Sequence, residues 1–227
     1  MRTRLGHAPL ALALALALAT VVIVVLAVVA IVSVSGTHGP TRTTTSVSSS
    51  TSTAGQESGF DGAALPGGVS ARGFTLSDQY GHQVSLSDYR GRVVVLTFLY
   101  SRCGGACVLI AQQIRGALNE LEEEHARAPA VLIVSADPAA DSRARVRGFL
   151  AEVSLTGRVE YLTGPLRELR EIWAAYRIKP ASVGAREFDE YASVLLLDRS
   201  GRERVLFQSE NLTPEFLSHD IGKLNGP

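Results

Sequence analysis

The stretch Val93–Ala111, VVVLTFLYSRCGGACVLIA, constrains the fold more than any other part of the chain. Its first half, Val93 to Tyr100, is an apolar and β-branched run of the kind that forms a strand buried on both faces. The run breaks at Ser101-Arg102. The only two cysteines of the sequence follow, Cys103 and Cys107, separated by Gly104-Gly105-Ala106. Then Cys107, Ile110, Ala111, Ile114, Leu118 and Leu121 recur at helical spacing. A buried strand therefore hands two thiols to the start of a helix.

That position has chemical consequences. Free backbone N–H groups and the helix dipole favour a thiolate at a helix N-terminus, and Arg102 adds positive charge. Residues i and i+4 of a regular helix have Cβ atoms about 5–6 Å apart, whereas a disulfide needs roughly 3.8 Å. A Cys103–Cys107 bridge thus requires an irregular first turn, which Gly104-Gly105 permits. The pair suits redox cycling between dithiol and disulfide, and equally suits Cu(I), which prefers soft thiolate ligands. The competing reading is a purely structural pair. A disulfide closing so short a loop removes little chain entropy, so it would stabilise little.

The N-terminus carries a topological signal. Arg2 and Arg4 precede an apolar run from about Ala8 to Val34. This exceeds the roughly 7–15-residue core of a cleaved signal and is long enough to span a bilayer. Positive charge before the run and none just after it predict a single-pass cell-membrane protein, N-terminus cytoplasmic and remainder extracytoplasmic; a cleaved signal is the alternative. No cysteine lies near the run, which excludes a lipid-modified cysteine there. Export places the cysteines in an oxidising compartment. Twenty-two basic residues balance twenty-two acidic ones, so charge gives no reason to expect nucleic-acid binding.

Three regions follow: 1–36, a cytoplasmic stub and transmembrane anchor or signal; 37–65, a Ser/Thr-rich tether too polar to fold, reaching on the order of 30 Å; and 66–227, the folded domain. Phe74–Leu76 and Gln83–Leu86 flank Asp78-Gln79-Tyr80-Gly81 as a hairpin. Ala130–Ser135 reads as a second buried strand, and Asp137-Pro138 as the cap and first residue of a helix running to about Val153. Arg143, Arg145 and Arg147 give that helix a solvated basic face. Val159–Leu162 is a short strand. Thr163-Gly164-Pro165 starts a helix in the same way, with Leu166, Leu169, Ile172, Trp173 and Tyr176 as its apolar face. A loop, Lys179–Asp189, leads to a strand at Ala192–Leu197, a turn at Asp198–Gly201, a strand at Glu203–Phe207 and a last helix capped by Thr213-Pro214. The expected fold is α/β: a central mixed sheet flanked by helices, with an N-terminal hairpin extension. With a dithiol at the end of the first central strand, this is a thioredoxin-like arrangement.

Four segments, FTLSDQYGHQVSLSDYRGRVVVLTFLYSRCGGAC, VSADPAAD, YLTGPLRELREIWAAYRI and SVLLLDRSGR, resemble the Sco/SenC family of copper chaperones and thiol oxidoreductases that serve cytochrome c oxidase. The resemblance spans nearly all of the domain from about Phe74. It implies copper binding by Cys103, Cys107 and a histidine, and action on the cysteines of the binuclear copper site of oxidase subunit II. The family's histidine lies eight residues before the aspartate matching Asp198, which here is Glu190. Glu190 is read either as a weak, Cu(II)-only ligand or as a surface residue, since carboxylate oxygen suits Cu(I) poorly. Gly104 and Val108 replace the family's prolines. None of the five histidines substitutes plainly: His7 is at the anchor, His38 in the tether, His82 in a hairpin turn, and His125 and His219 near helix C-termini, where the dipole favours them. The principal reading is a copper-handling protein for oxidase assembly. The alternatives are a thiol–disulfide reductase using Cys103 and Cys107, and a non-catalytic thioredoxin-like binding module.

Overall fold

The computed structural model describes residues 59–181 and 185–226. The predicted anchor, and the tether up to residue 58, lie outside them. No helix among the described residues is long and apolar enough to cross a membrane.

In chain order the strands are β1 (Ala63–Ala64), β2 (Thr75–Ser77), β3 (Gln83–Ser85), β4 (Val94–Leu99), β5 (Ala130–Ser135), β6 (Glu160–Leu162), β7 (Ser193–Leu197) and β8 (Glu203–Gln208). The helices are α1 (Gly105–Glu123), α2 (Arg143–Glu152), α3 (Leu166–Ala175), α4 (Ala185–Tyr191) and α5 (Pro214–Asn225). One mixed sheet has the order β1-β8-β7-β4-β5-β6, and β2 and β3 form the expected separate hairpin. β4, β5 and β6 are parallel, with Val94 opposite Ala130 and Leu99 opposite Ser135. β7 runs antiparallel to β4, and β8 antiparallel to β7.

All six residues of β4 are buried, as the apolar run predicts. Successive side chains of a strand point to opposite faces, and β4 divides accordingly. Val95 and Leu99 join a core with Ile110, Ile114 and Leu121 of α1, Phe149 of α2 and Leu217 and Ile221 of α5. Val94, Leu96 and Phe98 join a second core with Leu169, Ile172 and Trp173 of α3 and Leu76 and Val84 of the hairpin. The central strands are therefore covered on both sides.

Three local expectations are corrected. The helix after β5 does not start at Asp137-Pro138. Asp137 instead closes a turn, accepting from the backbone N–H of Ala140 at 3.2 Å, and α2 begins after Ser142, whose hydroxyl accepts from Arg145 N–H. Pro165 is the cap position of α3 and contributes no side-chain bond, so that helix begins one residue later than the first-turn proline rule places it. The segment read as the loop Lys179–Asp189 contains the start of α4. Thr213 caps α5 as expected, its hydroxyl accepting from Phe216 N–H.

The packed chain starts ahead of Pro66. β1 pairs with β8, and the preceding residues are pinned to α5: Asp61 and Gly62 N–H donate to the buried Asp220 carboxylate at 2.9 and 3.0 Å. His219 Nδ1 lies 2.6 Å from Asp61 and 3.2 Å from Asp220. His219 thus sits inside α5 as part of a clamp, not at a helix end as its sequence position suggested.

Candidate functional site: a buried dithiol at the end of the central strand

β4 ends at Leu99, and the chain turns sharply into α1. Cys103 N–H donates to Tyr100 C=O at 3.0 Å, closing the turn, and Val108 N–H donates to Gly104 C=O at 3.2 Å. Gly104 has φ −85° and ψ −97°, away from helical values. Cys103 therefore stands before the helix while Cys107 lies in its first turn. This is the irregular start that a bridge between the two requires. Cys103 and Cys107 are joined as a disulfide with Cα atoms 5.7 Å apart. Cys103 is 6% exposed and Cys107 0%, so the face open to an attacking group belongs to Cys103.

The turn is fixed from beneath by a residue that the sequence pattern did not single out. Asp141, 4% exposed, accepts from Ser101 N–H at 2.7 Å, Ser135 O–H at 2.6 Å and Tyr161 O–H at 2.8 Å. It ties together the end of β4, the end of β5 and β6. Burial, and then the Asp141 charge beside it, push the Tyr161 hydroxyl well above its ordinary value. The Ser101 hydroxyl itself is buried without a hydrogen-bond partner among the described residues.

On the other side stands α4. Phe188 is buried and meets Tyr100 edge-on, ring centroids 5.0 Å apart. Asp189, half-buried, has its carboxylate over the first residue of α1: a Cβ on Gly105 would lie 2.7 Å from Asp189 Oδ2. Burial, then the charges of Asp189 and Asp137, push the Tyr100 hydroxyl up, with Arg102 opposing. Glu190, the position indicated by spacing, is exposed.

The described histidines lie elsewhere. His82 pairs with Asp78 in the hairpin turn at 3.1 Å, His125 follows α1, and His219 belongs to the clamp on Asp61. That clamp, Asp61, His219 and Asp220, is the one set of three His, Cys, Asp or Glu donor atoms within 4.8 Å of one another among the described residues. Trp173 is core, as read from its spacing, with Nε1 donating to Ser135 C=O at 3.0 Å. It also borders an open groove of about 750 Å³ with Asp137, Leu166 and Ile178, and neither cysteine lines that groove.

Comparison with known proteins gives a consistent assignment. The fission yeast Schizosaccharomyces pombe protein sco1 is 22% identical over 156 residues, 66% of this chain; the chain spans 58% of that relative's length. BsSco, described as a member of the Sco family of cytochrome c oxidase assembly proteins with a disulfide switch, matches at TM-score 0.59 and 22% identity, covering 71% of this chain and 96% of that one. Yeast Sco1 with copper bound matches at TM-score 0.59 and 21% identity, covering 70% and 93%. The fold is thioredoxin-like, its mixed sheet flanked by helices. The SCO1/SenC family profile matches residues 65–225, from just after β1 through α5 with the dithiol inside it, and the chain belongs to the SCO1/SenC family.

Proposed function

We propose that this protein handles copper outside the cytoplasm, carrying it as cargo between Cys103 and Cys107 for delivery to the cysteines of the oxidase subunit II copper site. The observation that carries the reading is the pair itself: the two cysteines stand together at the start of α1 in a SCO1/SenC chain. The copper-bound yeast Sco1 structure supports it. The donor set fits in its two sulfurs, joined side by side at the start of α1 and suited as thiolates to the soft ion. The predicted anchor in 1–36 would hold the domain at the membrane surface, with the chain from 37 to about 58 as its tether, since Asp61–Ala64 already belong to the packed domain.

The disulfide must open before copper enters. A dithiol reductant supplies both electrons. Its first thiolate attacks Cys103 Sγ, the S–S bond breaks, and Cys107 leaves as a thiolate. The second thiol of the reductant then resolves the mixed disulfide, freeing Cys103 and leaving the reductant oxidised. The two sulfurs are then available as thiolates to the metal.

Thiol–disulfide exchange without stable copper binding is the second reading. It is favoured by the positions of the described histidines, all placed away from the dithiol, and it needs only the two cysteines. The domain would then reduce a partner's disulfide by the reverse steps, ending as the bridged form.

A Cu(I) titration of the reduced protein against a competing chelator separates the two, with Cys103→Ser/Cys107→Ser as control. One-to-one binding that the double variant loses supports copper handling. A folded, fully reduced wild type that yields all its copper to a weak chelator sinks that reading and leaves exchange.

A further inference from the structure

The clamp that joins the start of the packed chain to α5 holds more negative charge than its partners neutralise. Asp220 is 0% exposed, and its two oxygens accept backbone N–H bonds from Asp61 at 2.9 Å and Gly62 at 3.0 Å. Asp61 sets a second carboxylate beside it. His219 Nδ1 reaches both, 2.6 Å from Asp61 Oδ2 and 3.2 Å from Asp220 Oδ1. Among the described residues, His219 is the one basic side chain that pairs with either carboxylate. Lys223 of the same helix is engaged elsewhere: its Nζ donates to Gly59 C=O at 2.9 Å and lies 5.1 Å from the Phe60 ring centroid. One imidazole against two carboxylates leaves negative charge in excess whether or not the ring is protonated. A buried carboxylate is ordinarily matched by opposite charge or by a metal ion.

We propose that Asp61, His219 and Asp220 form a metal site of their own, for a borderline divalent cation such as Zn(II), and that the ion fastens the root of the tether to α5. The site is separate from the dithiol and does not rest on the copper reading. Its three donor atoms lie within 4.8 Å of one another. Zinc bonds of about 2.0–2.2 Å hold neighbouring ligand atoms roughly 3.4 Å apart in a tetrahedron. The Asp220 spacing already matches, and the Asp61 spacing must open by about 0.8 Å, which the Asp61 side chain, 34% exposed, has room to do. One imidazole nitrogen with two carboxylate oxygens suits Zn(II); with no sulfur, the set does not suit Cu(I). To ligate through Nδ1 the ring keeps its proton on Nε2, and His219 is 54% exposed, so water can accept from it. The ion then stands in for the Nδ1 proton and brings the charge that the carboxylates lack. The consequence is mechanical. Asp61 and Asp220 are 159 positions apart, and a cross-link closing so long a loop removes much chain entropy from the unfolded state. The point where the tether leaves the domain becomes fixed.

The test uses the full chain in its disulfide form, so that no thiolate competes, titrated with Zn(II) alone by isothermal calorimetry. Asp61→Asn and His219→Gln alter side chains that keep exposed surface, and circular dichroism verifies that both variants fold. Each should weaken zinc binding by at least about tenfold, the lower end of what losing a group around a metal costs. His82→Gln, which removes the other described histidine paired with an aspartate, should bind zinc as wild type does. Hydrogen exchange gives a second readout. At about ten times its dissociation constant, zinc should slow exchange of the Asp61 and Gly62 amides roughly tenfold in wild type, since only the closed clamp binds the ion, and should not slow it in Asp61→Asn or His219→Gln. Zinc binding that survives both of those variants, or that His82→Gln abolishes, overturns the site. So does a folded wild type whose two amides exchange at the same rate with and without zinc, which would make the clamp a hydrogen-bonded contact alone.

Discussion

Asp141 offers the sharpest test of how the dithiol turn is held. Replacing it with alanine removes the acceptor of three bonds: Ser101 N–H at 2.7 Å, Ser135 O–H at 2.6 Å and Tyr161 O–H at 2.8 Å. Bonds to a charged acceptor contribute about 1.5–3 kcal/mol each. The sum overstates the loss for two reasons. Tyr161 keeps a second acceptor, Leu99 C=O at 3.0 Å, and the variant no longer buries a carboxylate, whose desolvation offsets several kcal/mol. What remains is two buried donors with nothing to meet, at about 1–3 kcal/mol each, so Asp141→Ala should destabilise the fold by about 3 kcal/mol. Tyr161→Phe removes one of the three donors and should cost only about 1 kcal/mol. Urea unfolding followed by circular dichroism measures both. Hydrogen exchange at the Ser101 amide should accelerate in the alanine variant, since that N–H loses its partner. A loss under about 1 kcal/mol, or equal losses in the two variants, would refute the claim that this carboxylate organises the turn.

Two further outcomes are expected. Asp78 accepts from the N–H groups of Tyr80, Gly81 and His82 through one oxygen; burial pushes its carboxyl up, but these bonds and the His82 ring outweigh it and hold it below its ordinary 3.8. A lowered folded value contributes stability that is present above the ordinary value and is lost as pH falls through the lowered one. Asp78→Asn should therefore be less stable than wild type at pH 7, with the gap closing below about pH 4; urea midpoints showing a pH-independent gap would count against it. At the site, Cys103 of a Cys107→Ser variant should be alkylated in the native state on the order of tenfold faster than Cys107 of a Cys103→Ser variant, because access governs the rate and only Cys103 keeps exposed surface. Equal rates would mean that the turn opens freely and that the burial difference has no chemical effect.

Regular alternation and long apolar runs made most of the frame legible. β4, β5, β7, β8, α1 and α5 fall within a residue or two of where the pattern puts them, because each buries a face that only one register can bury. The failures share a cause: they are places where a distant contact decides among local options. Asp137-Pro138 and Ser142 are both sound helix starts, and the choice between them is made by Asp141, whose pull toward Ser101 and Tyr161 bends the chain away from a helix before Ser142. α4 shows only one buried side chain among those described, Phe188, too few for a period to register. The run Ala185–Tyr191 lacks proline and glycine, and that was the one signal available. His219 looked like a dipole-favoured histidine because its partner Asp61 is over 150 residues away.

The two glycines between the cysteines show the same division at a single site. Sequence reasoning gave both one task, to let the turn depart from a helix so that the sulfurs could meet. Gly104 fulfils it, with ψ far from helical, and a Cβ there would meet nothing within 4 Å. Gly105 is already the first residue of α1, and its lack of a side chain serves a different end, since that volume is filled by the Asp189 carboxylate. Bulk at position 104 is therefore a question of backbone angle alone, whereas bulk at position 105 pushes on α4 and, through Phe188, on Tyr100 at the root of the cysteine turn. The glycine pair is half a hinge and half a seat for a charge, and only the second role couples the dithiol to a residue more than eighty positions away.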